Sequence, residues 1–405
     1  MTTKILFVDD EANVLAGLRR MLRGQRQVWD MHFANGGEEA LRLMEQQAFD
    51  VVVTDMRMPN IDGAELLTRV SNLYPHTVRL VLSGQSEHEK IFRAVGPAHQ
   101  FMSKPCDPDV LVSTIERACG LHSQLRSDSL KKLTSQLRCL PSLPEVYREL
   151  IVELESDEAS IRRVSDKIAS DIAMTAKVLQ LVNSSFFGQR QQIKCPHHAV
   201  TLLGLNIIRP LVLTANVFSQ QKDPHIDCFS LQQLVDHSLA VSVTARSIAE
   251  HFSDEPFLVN DTFAAGLLHD IGKLVLATNL PEEYALALQL TRDESMSIWE
   301  AEKRIFDATH ADVGAHLLGL WGLPHPVVEA IAYHHRPADA LVPHFSPITA
   351  VHIANALELR DCGDSGNVPE LCVDYLNGLG LPTELDAYQP YSRAANREMS
   401  EGAVV

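Results

Sequence analysis

Within the first 120 residues, short apolar runs alternate with helix-period stripes, and this constrains the fold more than any other feature of the chain. The runs are Ile5-Leu6-Phe7-Val8, Met31-His32-Phe33-Ala34, Val51-Val52-Val53-Thr54, Val78-Arg79-Leu80-Val81-Leu82 and Gln100-Phe101-Met102. Between them, stripes such as Val14-Leu15-Leu18-Met21-Leu22 and Leu66-Leu67-Val70-Leu73 follow the helical period. Continuous β-branched runs suit strands buried on both faces, as in a parallel sheet covered by helices. Five such units predict an α/β doubly wound five-stranded parallel sheet, with its functional crevice at the carboxyl ends of the strands where strand order reverses.

That topology gives meaning to the residues that end the strands. Asp9 and Asp10 follow the first run and Asp55 follows the third. With strand order 2-1-3-4-5, strands one and three are neighbours, so three carboxylates converge at one rim. Carboxylates crowded in this way repel unless a hard divalent cation sits among them, and Mg²⁺ prefers such oxygen ligands. A site of this kind can take a phosphoryl group on a carboxylate, because positioning and charge neutralisation make up most of that reaction. Ser83 ends the fourth run and Lys104 the fifth, a hydroxyl and an ammonium able to hold phosphoryl oxygens.

The stretches Phe7-Val8-Asp9-Asp10-Glu11, Thr54-Asp55-Met56-Arg57-Met58-Pro59 with Asp62-Gly63, Leu82-Ser83-Gly84 and Phe101-Met102-Ser103-Lys104-Pro105 carry a resemblance. Residues 1–120 resemble a flavodoxin-like response-regulator receiver domain. The resemblance implies that Asp55 is the phospho-acceptor for a sensor histidine kinase. It implies that Asp9, Asp10, Asp55 and the carbonyl of Arg57 bind Mg²⁺, that Ser83 and Phe101 form a switch pair, and that Lys104 precedes a cis proline.

Residues 121–140 change character: Leu121, Leu125, Leu130, Leu133 and Leu137 make an amphipathic stripe, expected to be a linker helix that also offers a homodimer contact. From 141 to 345 every apolar stripe is helical, at Ser160–Val182, Leu231–Phe252, Ala264–Leu276, Glu282–Leu290 and Ala311–Trp321. A helical extension at 346–386 is expected to pack on this unit, and the polar stretch 387–405 is expected to be a disordered tail. Residues 1–120 hold 13 basic and 16 acidic residues, 121–140 hold four and one, and the rest hold 18 and 35. The acidity thus sits in the helical part, which argues against nucleic acid as a partner. No apolar run approaches a membrane span, and the chain enters its first strand too early for a signal peptide. Seven cysteines without paired spacing fit reduced thiols, so a cytoplasmic location is expected.

The histidines of the helical part are ordered. His237 lies in a helical stripe, His269-Asp270 follows Ala264-Ala265-Gly266-Leu267-Leu268, His310 opens the next long stripe, and His334-His335 closes Val327–Tyr333. Imidazole and carboxylate suit Zn²⁺, Mn²⁺ or Fe, and helical bundles build metal cores from several helices. A structural role, with Asp270 orienting a nearby histidine, fits equally well.

Leu140-Pro141-Ser142-Leu143-Pro144, the segment from Asp171 to Gly188, Ala199-Val200-Thr201-Leu202-Leu203-Gly204, Leu268-His269-Asp270-Ile271-Gly272-Lys273, Trp321-Gly322-Leu323-Pro324 and His334-His335-Arg336-Pro337 carry a second resemblance. Residues 141–345 resemble an HDOD domain, an all-α relative of HD phosphohydrolases in which metal and catalysis are mostly lost. His237, His269, Asp270, His310, His334 and His335 match ligand positions of the HD phosphodiesterases that cleave cyclic di-GMP. Two departures stand out: Asn355 replaces their terminal Asp, and their Gly-Tyr-Pro signature is missing after His335. Two functions follow. The first is a phosphorylation-driven regulator whose output domain acts on a downstream signalling protein by contact. The second is a receiver-gated, metal-dependent phosphodiesterase acting on a nucleotide.

Overall fold

A computed structural model of the chain describes residues 2–83, 97–124, 144–156, 159–183, 195–205, 229–340, 342–361 and 371–392, with short pieces between 130 and 141 and between 193 and 226. Strands β1 (Thr3–Val8), β2 (Trp29–Ala34), β3 (Val51–Asp55), β4 (Val78–Ser83) and β5 (Gln100–Ser103) pair in parallel in the order β2-β1-β3-β4-β5. Helices α1 (Ala12–Met21), α2 (Gly37–Gln46), α3 (Gly63–Leu73) and α4 (Pro108–Gln124) accompany them. The register Ile5↔Val51 through Val8↔Thr54 puts the ends of β1 and β3 side by side. All five residues of β3 are buried, as a strand covered on both faces requires.

The second unit contains α5 (Pro144–Glu155), α6 (Ile161–Ala169), α7 (Ile172–Val182), α8 (Pro196–Leu203), α9 (Leu231–Phe252), α10 (Pro256–Leu268), α11 (Ile271–Asn279), α12 (Pro281–Asp293), α13 (Ile298–Phe306), α14 (His310–Leu320), α15 (His325–Tyr333), α16 (Pro347–Asp361) and α17 (Val373–Gly378). Helix α16 is buried along most of its length and packs on α9 and α10, so it belongs to the centre of this unit. No helix among the described residues is long and apolar enough to cross a membrane. The four described cysteines, Cys106, Cys119, Cys195 and Cys372, are free thiols.

Several expectations need correction. The stripe Ser160–Val182 is two helices: the chain breaks at Ser170, and Asp171 accepts the Met174 N–H at 2.9 Å to start α7. Likewise Ala264–Leu276 breaks at His269-Asp270. Apolar periodicity runs through both breaks because both flanking helices turn the same face inward. The helical part also holds a two-residue parallel bridge, Leu140–Pro141 with Phe218–Ser219. Tyr388 and Ser392 are buried, so ordered packing runs past residue 387 where a disordered tail was expected. Gly204 has open space where a side chain would stand; its φ of +71° as the cap of α8 is what requires glycine. Of the linker stripe, Leu130 is buried and helical. Leu125 and Leu137 lie outside the described residues, as does the side chain of Leu121, and with them the expected dimer contact.

Candidate functional site

The sheet brings the predicted acids together. Asp9 is buried at the end of β1, Asp10 is exposed beside it, and Asp55 closes β3 with 8% exposure. Lys104 Nζ donates to Asp9 Oδ2 at 2.6 Å and also to Asp55 Oδ1. The other Asp55 oxygen accepts the Arg57 N–H at 2.5 Å, which ties the Arg57 peptide to this carboxylate. Asp9 Oδ1 accepts the Glu11 N–H at 2.9 Å. The chain can fold back after β3 because residue 63 is glycine: a Cβ there would stand 2.2 Å from the Asp55 carbonyl oxygen. Asp62 accepts the Glu65 N–H at 2.8 Å and so caps α3. Lys104-Pro105 is a cis peptide and Phe101 is buried. Ser83 ends β4, but its side chain lies outside the described residues.

Burial raises the Asp55 pKa; hydrogen bonds from Lys104 and the Arg57 N–H oppose this, while Asp9 adds to the rise. Burial would lower Lys104, but its bonds to Asp55 and Asp9 outweigh that and raise it. Two carboxylates, Asp9 and Asp55, thus share one ammonium, with Asp10 exposed beside them. The donor set is all oxygen, with negative charge to spare, and it fits a hard divalent cation.

The second constellation is assembled at helix junctions. His269 and Asp270 form the corner between α10 and α11, His310 begins α14, and His334-His335 follow α15. His237 and Asn355 face them from α9 and α16. All seven predicted side chains gather in one place. Three imidazoles have their tautomer fixed from behind. His269 Nδ1 donates to Gly266 O at 2.7 Å, His334 Nδ1 to Ile331 O at 2.7 Å, and His310 Nδ1 to Glu302 Oε2 at 2.6 Å. Each therefore turns an Nε2 lone pair forward. His310 and His334 Nε2 lie 3.4 Å apart, and Asp270 oxygens lie 3.3 Å from His269 Nε2 and 3.2 Å from His310 Nε2. Buried His269 Nε2 and Asp270 Oδ1 have no hydrogen-bond partner among the described residues.

Lone pairs facing a carboxylate require positive charge between them. One source is a proton on His310, whose pKa is lowered by burial but raised overall by Glu302 and Asp270. The other is a metal ion, and the set fits one: imidazole nitrogens backed by carbonyl or carboxylate acceptors are the usual arrangement behind metal ligands. Burial and the neighbouring histidines hold His334 and His335 well below the usual range, so both are neutral. Burial would raise Asp270, but His269 and Lys273 hold it well below the ordinary carboxylate value.

His237 Nε2 is 3.0 Å from Asn355 Oδ1. His335 Nε2 lies 3.0 Å from His310 Nε2, and His310, His334 and His335 form one group close enough to hold an ion, while His237, His269 and Asp270 form another. The sequence reading missed three contributors. Glu302 is fully buried and accepts both the ring and the backbone N–H of His310, the latter at 2.7 Å. Lys273 Nζ donates to Asp270 Oδ2 at 2.7 Å. His352 donates from Nδ1 to the His334 carbonyl at 2.7 Å and accepts the Cys372 N–H at 3.0 Å. Lys273 was visible as the residue one helical turn after Asp270; Glu302 and His352 left no signal, because their partners are distant in sequence.

Comparison with known proteins assigns both halves. The response regulator receiver domain family matches residues 5–116, and the HDOD domain family matches residues 140–337. An uncharacterized protein of Treponema pallidum (strain Nichols) is 26% identical over 219 residues, 53% of this chain and 41% of that protein. The hydrogenase transcriptional regulatory protein HoxA of Bradyrhizobium diazoefficiens is 38% identical over 120 residues, 29% of this chain and 24% of HoxA. The chain thus spans less than half the length of these relatives. A crystal structure of the MmoQ response regulator from Methylococcus capsulatus str. Bath aligns with 62% of this chain and 97% of that one, at 22% identity and a TM-score of 0.48. With a receiver domain ending in an acidic rim and an HDOD domain enclosing a histidine cluster, the chain belongs to the two-component response regulators.

Proposed function

We propose that a sensor histidine kinase in the cytoplasm phosphorylates Asp55, and that the HDOD domain passes the signal to a downstream signalling protein by contact. The observation that carries this reading is the reach of Lys104 to both Asp9 and Asp55 at the sheet's switch point. Asp9, Asp10, Asp55 and the Arg57 carbonyl are the groups that would hold Mg²⁺, which neutralises charge during phosphoryl transfer. Lys104 holds the acceptor carboxylate in place and then pairs with the phosphoryl oxygens, with Ser83 as a second donor. The phosphoryl group need only bias two existing conformations by a few kcal/mol. The test is incubation with acetyl phosphate and Mg²⁺ followed by intact mass. Wild type gains one phosphoryl group and Asp55→Asn gains none; labelling of the variant would reject Asp55 as the acceptor.

A second reading concerns the output domain, and the three converging Nε2 lone pairs favour it. His269, Asp270, His310 and His334 would hold one transition-metal ion, which when bound supplies a Lewis acid for phosphodiester hydrolysis. His335 stands with His310 and His334, and His237 with His269 and Asp270, as groups of side chains close enough to hold an ion. Protein purified without chelator should contain one metal per chain by elemental analysis, and His269→Ala should abolish it. Metal-free wild type would leave the contact mechanism alone.

A further inference from the structure

The two domains meet where α4 packs on α14 and at a buried polar patch, and one bond of that patch completes a helix. Helix α14 ends in a tight reversal: Leu323 N–H returns to Leu318 O at 3.0 Å and Gly322 N–H to Gly319 O at 3.0 Å, with Gly322 at φ +79°. The carbonyl of Leu320 would take its bond from residue 324, but that residue is Pro324, which has no N–H. Gln100 of the receiver fills the gap: its Nε2 donates to Leu320 O at 2.9 Å and lies 3.5 Å from Gly319 O. A side chain at 322 would stand 3.0 Å from the Gln100 amide carbon, so Gly322 also gives this donor its room.

One more bond crosses beside it, and buried cations line both sides. Gln180 on α7 donates to the His99 carbonyl at 3.1 Å, and Lys177 lies 3.8 Å over the Trp321 ring. Arg79 behind them donates to Pro97 O at 2.6 Å and lies 2.8 Å from His99 Nε2. Arg79, Lys177, Gln180 and Gln100 are all buried. The Gln100 and Gln180 bonds cross between the domains, and water can replace each of them if this patch opens.

Gln100 opens the strand that leads to Lys104, the residue bonded to Asp55. At its other end, α14 opens with His310, whose carbonyl oxygen leaves no room for a side chain at Gly272. Helix α14, about 16 Å long, therefore spans from the receiver contact to the histidine cluster.

We propose that the receiver supplies the C-terminal cap of α14 through Gln100, and that this cap carries the state of Asp55 to the histidine cluster. The second half rests on the phosphorylation reading above; the first does not. The chain has three tryptophans, and two stand where they are needed: Trp321 at the interface and Trp299 stacked near His335, with ring centroids 6.3 Å apart. Full-length protein labelled with 5-fluorotryptophan gives one ¹⁹F resonance for each. In untreated protein, Gln100→Met, which keeps the shape and removes the donor, should shift both the Trp321 and Trp299 resonances. Acetyl phosphate with Mg²⁺ should shift the wild type in the same directions and have little further effect on Gln100→Met. Gln180→Met, loosening the same face from the output side, should repeat the paired shift. Movement of Trp321 without Trp299 would overturn the relay, and no movement of either in both variants would overturn the cap itself. Failure of wild type to gain phosphoryl mass would strike the phosphorylation reading, while the untreated comparison would still judge the cap.

Discussion

Asp55 and Asp270 are both carboxylates buried at the end of a secondary element, both bonded to a lysine, and the chain treats them in opposite ways. At Asp55, burial and Asp9 prevail over a single half-exposed lysine and the pKa rises. At Asp270, His269 and Lys273 prevail over complete burial and the pKa falls well below its usual value. The first site lies at an open rim with unbalanced negative charge, which suits a cation and a phosphoryl group that come and go. The second is closed, with His269, Asp270, His310 and His334 all fully buried. The chain thus has an open charge site in one domain and a closed one in the other.

The largest expected effect breaks the open site. Asp55→Asn should abolish labelling by acetyl phosphate while leaving the urea unfolding curve of the output domain unchanged. A shift in that curve would show that Asp55 also supports the closed site. Next comes a packing feature common to the two sites. Each relies on a glycine that faces the backbone of a functional residue, Gly63 against Asp55 and Gly272 against His310. At Gly272 a Cβ would stand 1.9 Å from a carbonyl held between two helices. Gly272→Ala should cost about 3 kcal/mol in urea unfolding, since overpacking at a rigid spot is expensive. A loss near zero would mean that α11 and α14 slide apart easily, which would also weaken the proposed relay.

Glu302→Gln sharpens the electrostatic side of the contrast. Burial lowers His310 and Glu302 is the largest influence raising it, so removing that charge should lower the His310 pKa in a histidine NMR titration of chelator-treated protein. The sign for stability follows. A histidine raised in the folded state stabilises below its unfolded pKa, and that stabilisation is lost as pH rises through the folded value. His334 and His335 are lowered and act the other way, costing stability as pH falls below the unfolded value. The difference between wild type and Glu302→Gln isolates His310: the variant should lose most at mildly acid pH and converge with wild type at alkaline pH. Equal losses at every pH would assign Glu302 a purely structural role.

The two sites were not equally legible in the sequence. Asp9, Asp55 and Lys104 could be placed because a parallel sheet puts every strand end at one rim, so a one-dimensional pattern already fixes a three-dimensional neighbourhood. The histidines could be gathered only through their motifs, since nothing in helical periodicity says which helix ends meet. Glu302 shows the limit. It reads as one more polar residue in Ile298–Phe306, beside the capping pair Ser297 and Glu300, and only the tertiary fold reveals it buried under His310. Gln100 was similarly opaque, because its partner is a carbonyl left open by Pro324 more than 200 residues later.

The smallest expected effect concerns the start of α14. Thr309 Oγ1 accepts the Asp312 N–H at 3.1 Å, and Asp312 Oδ2 accepts the Thr309 N–H at 2.9 Å, a reciprocal pair that fixes the turn presenting His310. Thr309→Ala removes one of these bonds and should cost about 1 kcal/mol of unfolding free energy. Because the Glu302 bonds to His310 remain, the Trp299 environment next to His335 should be almost unchanged, unlike in Gln100→Met. If Thr309→Ala moved Trp299 as far as Gln100→Met does, the cluster would be answering to any loosening of α14. The difference between its two ends, one capped from within the domain and one by the receiver, would then have no regulatory meaning.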